Sequence, residues 1–117
     1  MTIIKKMTEY LFSYGTIQKE IVQMELFDRL LNGTKDILKG YKLSSIKINE
    51  ESFLSKSEQE YHLIAILSKD NTDIIEGTIY EISEEELLLA DNYEPEEYKR
   101  VKVMLQSGKE AWIYVAV

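Results

Sequence analysis

Apolar positions along the chain change period several times, and each change marks an element. Tyr10-Leu11-Phe12-Ser13-Tyr14 is an aromatic-rich run that halts at Gly15, as a strand does on entering a turn. From Gln18 to Leu31, the residues Ile21, Val22, Leu26, Phe27, Leu30 and Leu31 recur at helical spacing, and Asn32-Gly33 supplies a stop. Leu43, Ile46 and Ile48 predict a strand over 41–48, with imperfect alternation. Residues 49–58 are mostly polar, the pattern of an exposed loop. Leu63-Ile64-Ala65-Ile66-Leu67, within 61–67, is short enough for a buried strand. A polar turn over 68–73 follows, then a strand over 74–82 containing Gly77, where a bulge or a close backbone approach is expected.

Ser83-Glu84-Glu85-Glu86 has the form of a capping box and opens a helix over 84–93. Pro95 disfavours helical geometry at Glu94, so the helix ends there or just before. The segments 98–105 and 109–117 flank Ser107-Gly108, and Val101, Val103 and Leu105 recur at every second position, which predicts a β-hairpin. The total is five or six strands and two helices without βαβ alternation. This is an α+β chain, one domain over 1–117 with residues 1–8 as a loosely ordered extension.

Composition narrows the function. The net charge of −7, from 21 acidic against 14 basic residues, repels phosphate backbones and argues against a nucleic-acid partner. No apolar run reaches the roughly 18 residues of a membrane span, and Met1 to Lys6 does not read as a secretory signal. With no cysteine, disulfides, thiolate metal sites and a cysteine nucleophile are all excluded. His62, the one histidine, cannot anchor a usual zinc site and is read as structural or surface. The expectation is a soluble cytoplasmic protein that uses no metal or cofactor and acts on something small.

Two patches carry candidate chemistry. At Tyr14-Gly15-Thr16, a glycine between strand and helix lets successive N–H groups, backed by the positive end of the helix, face an anion. The bland alternative is a turn that needs a flexible residue. In the segment Asp91 to Arg100, Glu94 stands apart from a solvated acidic surface. Its place at a helix C-terminus, and burial beside Tyr93 and Tyr98, would push its pKa upward, as a general base working near neutral pH requires.

The ordered set of these pieces resembles the gamma-glutamylcyclotransferase-like superfamily. Leu11-Phe12-Ser13-Tyr14-Gly15-Thr16-Ile17 is similar to its "YGT-L" or "YGS" signature, and Gly77-Thr78-Ile79-Tyr80-Glu81-Ile82 to its central strand. Ala90-Asp91-Asn92-Tyr93-Glu94 is similar to "LD-x-YE", Tyr98-Lys99-Arg100-Val101 to "Y-x-R-hydrophobic", and Ala111 to Val115 to the final strand. The resemblance implies a small twisted barrel-like mixed sheet with short helices beside it. It also implies a reaction: a γ-glutamyl amine or γ-glutamyl amino acid is converted to 5-oxoproline and a free amine. On this resemblance Glu94 is the acid/base, the amides of Tyr14, Gly15, Thr16 and Ile17 hold the glutamyl end, and Tyr98 lies at the substrate. A domain that keeps the pocket but only binds a small ligand is the alternative.

Overall fold

The computed structural model describes residues 8–47 and 61–117. The expectations for 49–58, and for the N-terminal extension before Thr8, lie outside the described residues. In chain order the elements are β1 (Thr8–Ser13), a 3-10 turn (Thr16–Gln18), α1 (Glu20–Phe27), β2 (Gly33–Lys39) and β3 (Tyr41–Lys47). Then come β4 (Tyr61–Leu67), β5 (Ile74–Ser83), α2 (Glu84–Tyr93), β6 (Tyr98–Met104) and β7 (Glu110–Ala116).

The strands form one sheet in the order β2-β5-β1-β7-β4-β3, with β6 paired to β7 beside this path. β1 runs antiparallel to β5 and touches β7 in parallel at Leu11 and Trp112; β4 meets β7 in parallel at Ala65 and Val115. β2 and β3 lie at opposite ends of this order, yet only Gly40 separates them in the chain. Its φ of 83° is a conformation that side chains disfavour. Its amide bonds the carbonyl of Asp73, and its carbonyl takes the amide of Ser68, pinning the corner to the β4–β5 connection. Since β2 pairs β5 and β3 pairs β4, a chain bent at one glycine draws both ends of the sheet together and curls it into a half-barrel.

The alternation of a strand divides the core in two. Leu11 packs with Val22, Ile82, Leu87, Ala90 and Tyr93 under the helices, whereas Phe12 packs with Leu38, Ile75, Ile79, Ile113 and Val115 inside the curl. At Gly77 the expected close approach is present: an added Cβ would lie 2.5 Å from the Ser13 carbonyl oxygen and 2.8 Å from the Phe12 ring. The helix over 84–93 forms with its capping box, Ser83 Oγ accepting from the Glu86 amide and Glu86 from the Ser83 amide.

Three expectations need correction. The helix predicted over 18–31 is a 3-10 turn followed by a separate, shorter α1. Asp28, in left-handed geometry (φ 56°), closes α1, and its amide bonds the Met24 carbonyl. Buried Gln23 fixes both flanks, donating to the Ile17 carbonyl and accepting from the Leu31 amide. Asn32-Gly33 is therefore no helix stop, and Gly33 opens β2. That strand was not predicted, because its sequence buries only Leu38 and its structure comes from seven residue pairs with β5. The strands consequently number seven among the described residues. None of the helices there is long and apolar enough to cross a membrane.

Candidate active site

Where β1 runs out at Ser13, the chain turns along the wall of a cavity of about 360 Å³. Tyr14, Gly15, Thr16, Ile17, Glu94 and Tyr98, singled out at two distant places in the sequence, all line it. The sheet order makes this possible. β1 and β7 are neighbours, β6 pairs with β7, and α2 packs over β1 and β5, so the end of α2 and the end of β1 meet.

The side chains of the turn are mostly engaged elsewhere. Tyr14 is buried, its hydroxyl donating to the Tyr114 carbonyl at 2.6 Å and accepting from the Ala65 amide at 3.0 Å, so it bridges β7 and β4. Ile17 is packed in the core beside Val22 and Phe27. Thr16 Oγ1 and the Tyr93 hydroxyl share a hydrogen bond of 2.7 Å, which ties the turn to the end of α2. What the turn can offer a ligand is its backbone. Within it the hydrogen bonds begin at the Gln18 amide, which reaches the Gly15 carbonyl, so the amides of Thr16 and Ile17 have no partner inside the turn. The Gly15 amide makes one long contact, 3.4 Å to Ser13 Oγ.

The fold demands glycine at position 15 neither for a positive φ, which is −125°, nor for packing, since an added Cβ would meet nothing within 4 Å; the open space beside it is the cavity it lines. Because α1 starts only at Glu20, its N-terminal dipole is offset from the turn.

Glu94 caps the C-terminus of α2, its amide bonded to the Ala90 carbonyl, with extended geometry (φ −70°, ψ 135°), as a residue before proline prefers. Pro95 is buried and its carbonyl accepts from the Tyr98 amide, which makes the support rigid. Part of the Glu94 surface stays uncovered by protein, and it opens onto cavities. Burial, with added repulsion from Asp91 one turn earlier, pushes its carboxyl up to about 8. Among the described residues no side-chain hydrogen bond satisfies its charge. Tyr14, Tyr98 and Tyr114 are all raised, chiefly by burial, and Tyr93 is pushed up to about 12, so the carboxyl is surrounded by protonated phenols. Tyr98 donates to the Leu63 carbonyl at 2.9 Å, which spans β6 and β4 along the cavity.

Several residues at the site were not singled out in the sequence. Tyr114 lines the cavity from β7 and donates to Asp91 Oδ1 at 2.7 Å. Its place was hidden in an apolar strand, where only a tyrosine at an inward-reading position hinted at it. Lys19, just before α1, and Ser45, Tyr61 and Leu63, on the paired strands β3 and β4, also contribute wall that no local pattern announces. His62 is buried on the same wall, which removes the surface reading for it. No group of three or more histidine, aspartate or glutamate side chains among the described residues is placed to hold a metal ion.

A curled mixed sheet thus carries a raised carboxyl and a backbone turn on the wall of one cavity. A family model described as "Gamma-glutamyl cyclotransferase, AIG2-like" matches residues 11–117, and the chain belongs to that family. No functionally curated protein matches it. Among solved structures, a solution structure from Arabidopsis thaliana is similar at 22% identity and TM-score 0.68, over 100% of this chain and 67% of that one. One described as gamma-glutamyl cyclotransferase has 17% identity and TM-score 0.68, over 95% and 68%. An uncharacterized protein from Homo sapiens has 16% identity and TM-score 0.72, over 94% and 67%. At such identities the likeness establishes the fold.

Proposed function

We propose that the protein is a cyclotransferase that needs no cofactor and releases 5-oxoproline from a small γ-glutamyl amine or γ-glutamyl amino acid. The observation that carries this reading is the meeting of Glu94 with the Tyr14 to Ile17 turn on one cavity. Family membership supports it.

The chemistry follows from the groups present. The substrate's α-ammonium, with a pKa of about 8, must lose a proton before its nitrogen attacks the γ-carbonyl. A carboxyl lifted to about 8 is matched to that proton, so the transfer runs close to level. The new C–N bond closes a five-membered ring and leaves an oxyanion, for which the amides of Thr16 and Ile17 are the donors we assign. Glu94 then returns the proton to the departing nitrogen as the oxyanion reforms the carbonyl and the old C–N bond breaks, and the extra proton left on the ring nitrogen passes through the same carboxylate to the released amine, giving a neutral lactam and an ammonium ion. The proton balance closes on one residue. Because the attack is intramolecular, a cavity that holds the glutamyl chain folded supplies much of the acceleration by orientation alone.

The test is release of 5-oxoproline from a panel of γ-glutamyl amines and amino acids, with Glu94→Gln beside the parent. Turnover by the parent that is lost in the folded variant is the expected result. Undiminished turnover in Glu94→Gln refutes the mechanism, and binding without turnover by the parent favours a ligand-binding domain.

A further inference from the structure

Behind Glu94 lies a second, polar cavity of about 330 Å³, reached by Asp91, Tyr98, Arg100, Trp112 and Tyr114 as well as by Glu94 itself. Two features make it more than a surface dent. Asp91 is held on both oxygens: Arg100 donates Nε to Oδ1 at 2.7 Å and Nη2 to Oδ2 at 3.0 Å, and Tyr114 adds its hydroxyl on Oδ1. Arg100 in turn lies 4.2 Å above the centre of the Trp112 ring, and Trp112 is anchored by Nε1 to Glu9 on β1 at 2.9 Å. The pair therefore has one geometry, built from α2, β6, β7 and β1, while Glu94 one helical turn from Asp91 has no such partner.

We propose that Asp91 and Arg100 are positioning residues, a fixed charge pair behind Glu94 that decides how readily its carboxyl gives up and regains a proton. The proposal rests on the reading of Glu94 as the acid/base. Asp91 is the charge that opposes ionisation of Glu94, and Arg100 limits that opposition by neutralising Asp91. The other groups around Glu94 do not compete. Tyr14 just past β1, Tyr93 on α2, Tyr98 on β6 and Tyr114 on β7 are uncharged phenols near neutral pH. His62 on β4 and Lys19 at the rim share the front cavity and are the same in every variant compared below.

Opposite substitutions should thus move Glu94 in opposite directions. With glutamate carboxyls labelled with carbon-13 in the full chain, Glu94 is assigned as the signal missing in Glu94→Gln and titrated by NMR. In Asp91→Asn its midpoint is expected to fall by about one pH unit, because the repelling charge is gone and Arg100 is free to attract. In Arg100→Gln it is expected to rise, and Arg100→Lys should stay near the parent because the charge is kept. The acid limb of kcat/KM for 5-oxoproline release should follow the same order.

A midpoint unmoved in both Asp91→Asn and Arg100→Gln, with the fold intact by circular dichroism, overturns the proposal. If Asp91→Asn does not fold, an unmoved midpoint in Arg100→Gln is enough to overturn it. The titration needs no substrate, so a protein without cyclotransferase activity would defeat the functional reading while this measurement still decides the role of the pair.

Discussion

The two walls of the cavity are built on different physical principles. The α2 wall presents a side chain whose charge state changes within the physiological range, fixed by a buried proline and flanked by a paired aspartate. The β1 wall presents peptide groups: the side chains of Tyr14, Thr16 and Ile17 are engaged by β4 and β7, by Tyr93 and by the core, and Gly15 has none. On the proposed mechanism one wall moves protons and is sensitive to pH. The other supplies dipoles that no pH between 4 and 10 alters. If that proposal holds, the contrast teaches that a site can divide its labour so that the titrating group sits on a rigid helix end and the anion donors on a turn whose side chains are engaged elsewhere.

The sharpest way to break this comparison is at the titrating wall. Glu94→Gln keeps the shape but cannot carry the proton, and is expected to lower kcat for 5-oxoproline release by roughly 10²–10⁴-fold, typical of a general acid/base. On the opposite wall, Gly15→Val places a branched side chain in open space. The fold should tolerate it, since nothing lies within 4 Å of the new Cβ. KM should rise roughly tenfold to a hundredfold, about 1.4–2.8 kcal/mol, with the pH profile unmoved. A shift of that profile in Gly15→Val would show that the walls are not independent.

A third effect concerns stability. Folded Glu94 holds its proton up to about pH 8, whereas the unfolded chain releases it near 4.5. Between those values the native state binds more protons, so this residue's contribution declines as pH rises, and its burial penalty is complete above pH 8. Relative to the parent, Glu94→Gln should therefore gain on the order of 4 kcal/mol on going from pH 4.5 to 8.5. Urea unfolding at the two pH values measures it, and parallel stabilities would show that the carboxyl is solvated. The smallest effect is expected from Tyr14→Phe. Loss of the hydroxyl leaves the Ala65 amide and the Tyr114 carbonyl without their bridge, costing about 1–2 kcal/mol in the same assay.

Much of this molecule follows from local sequence. The strand into Gly15, the capped helix ending at Glu94, the close approach at Gly77 and the final hairpin are each dictated by short-range chemistry. Alternation, a capping box, a proline and a turn glycine act within a few residues, and so remain readable in one chain. The motif around Glu94 also pointed to an upward shift of its carboxyl, through burial that a helix end beside two tyrosines made reasonable.

Tertiary structure decided the rest. β2 is a strand only because β5 offers it seven partners, and α1 stops at Asp28 because Gln23 binds the chain on either side of it. The placement of Tyr114, Asp91 and Arg100 around Glu94, and of the Glu94 wall opposite the Gly15 turn, depends on strand order and on the curl set at Gly40. Pairing and closure join residues a hundred or more positions apart, as with Tyr14 and Tyr114 or Glu9 and Trp112. No periodicity along the chain encodes a contact of that kind, because its energy arises only once both partners have left water together.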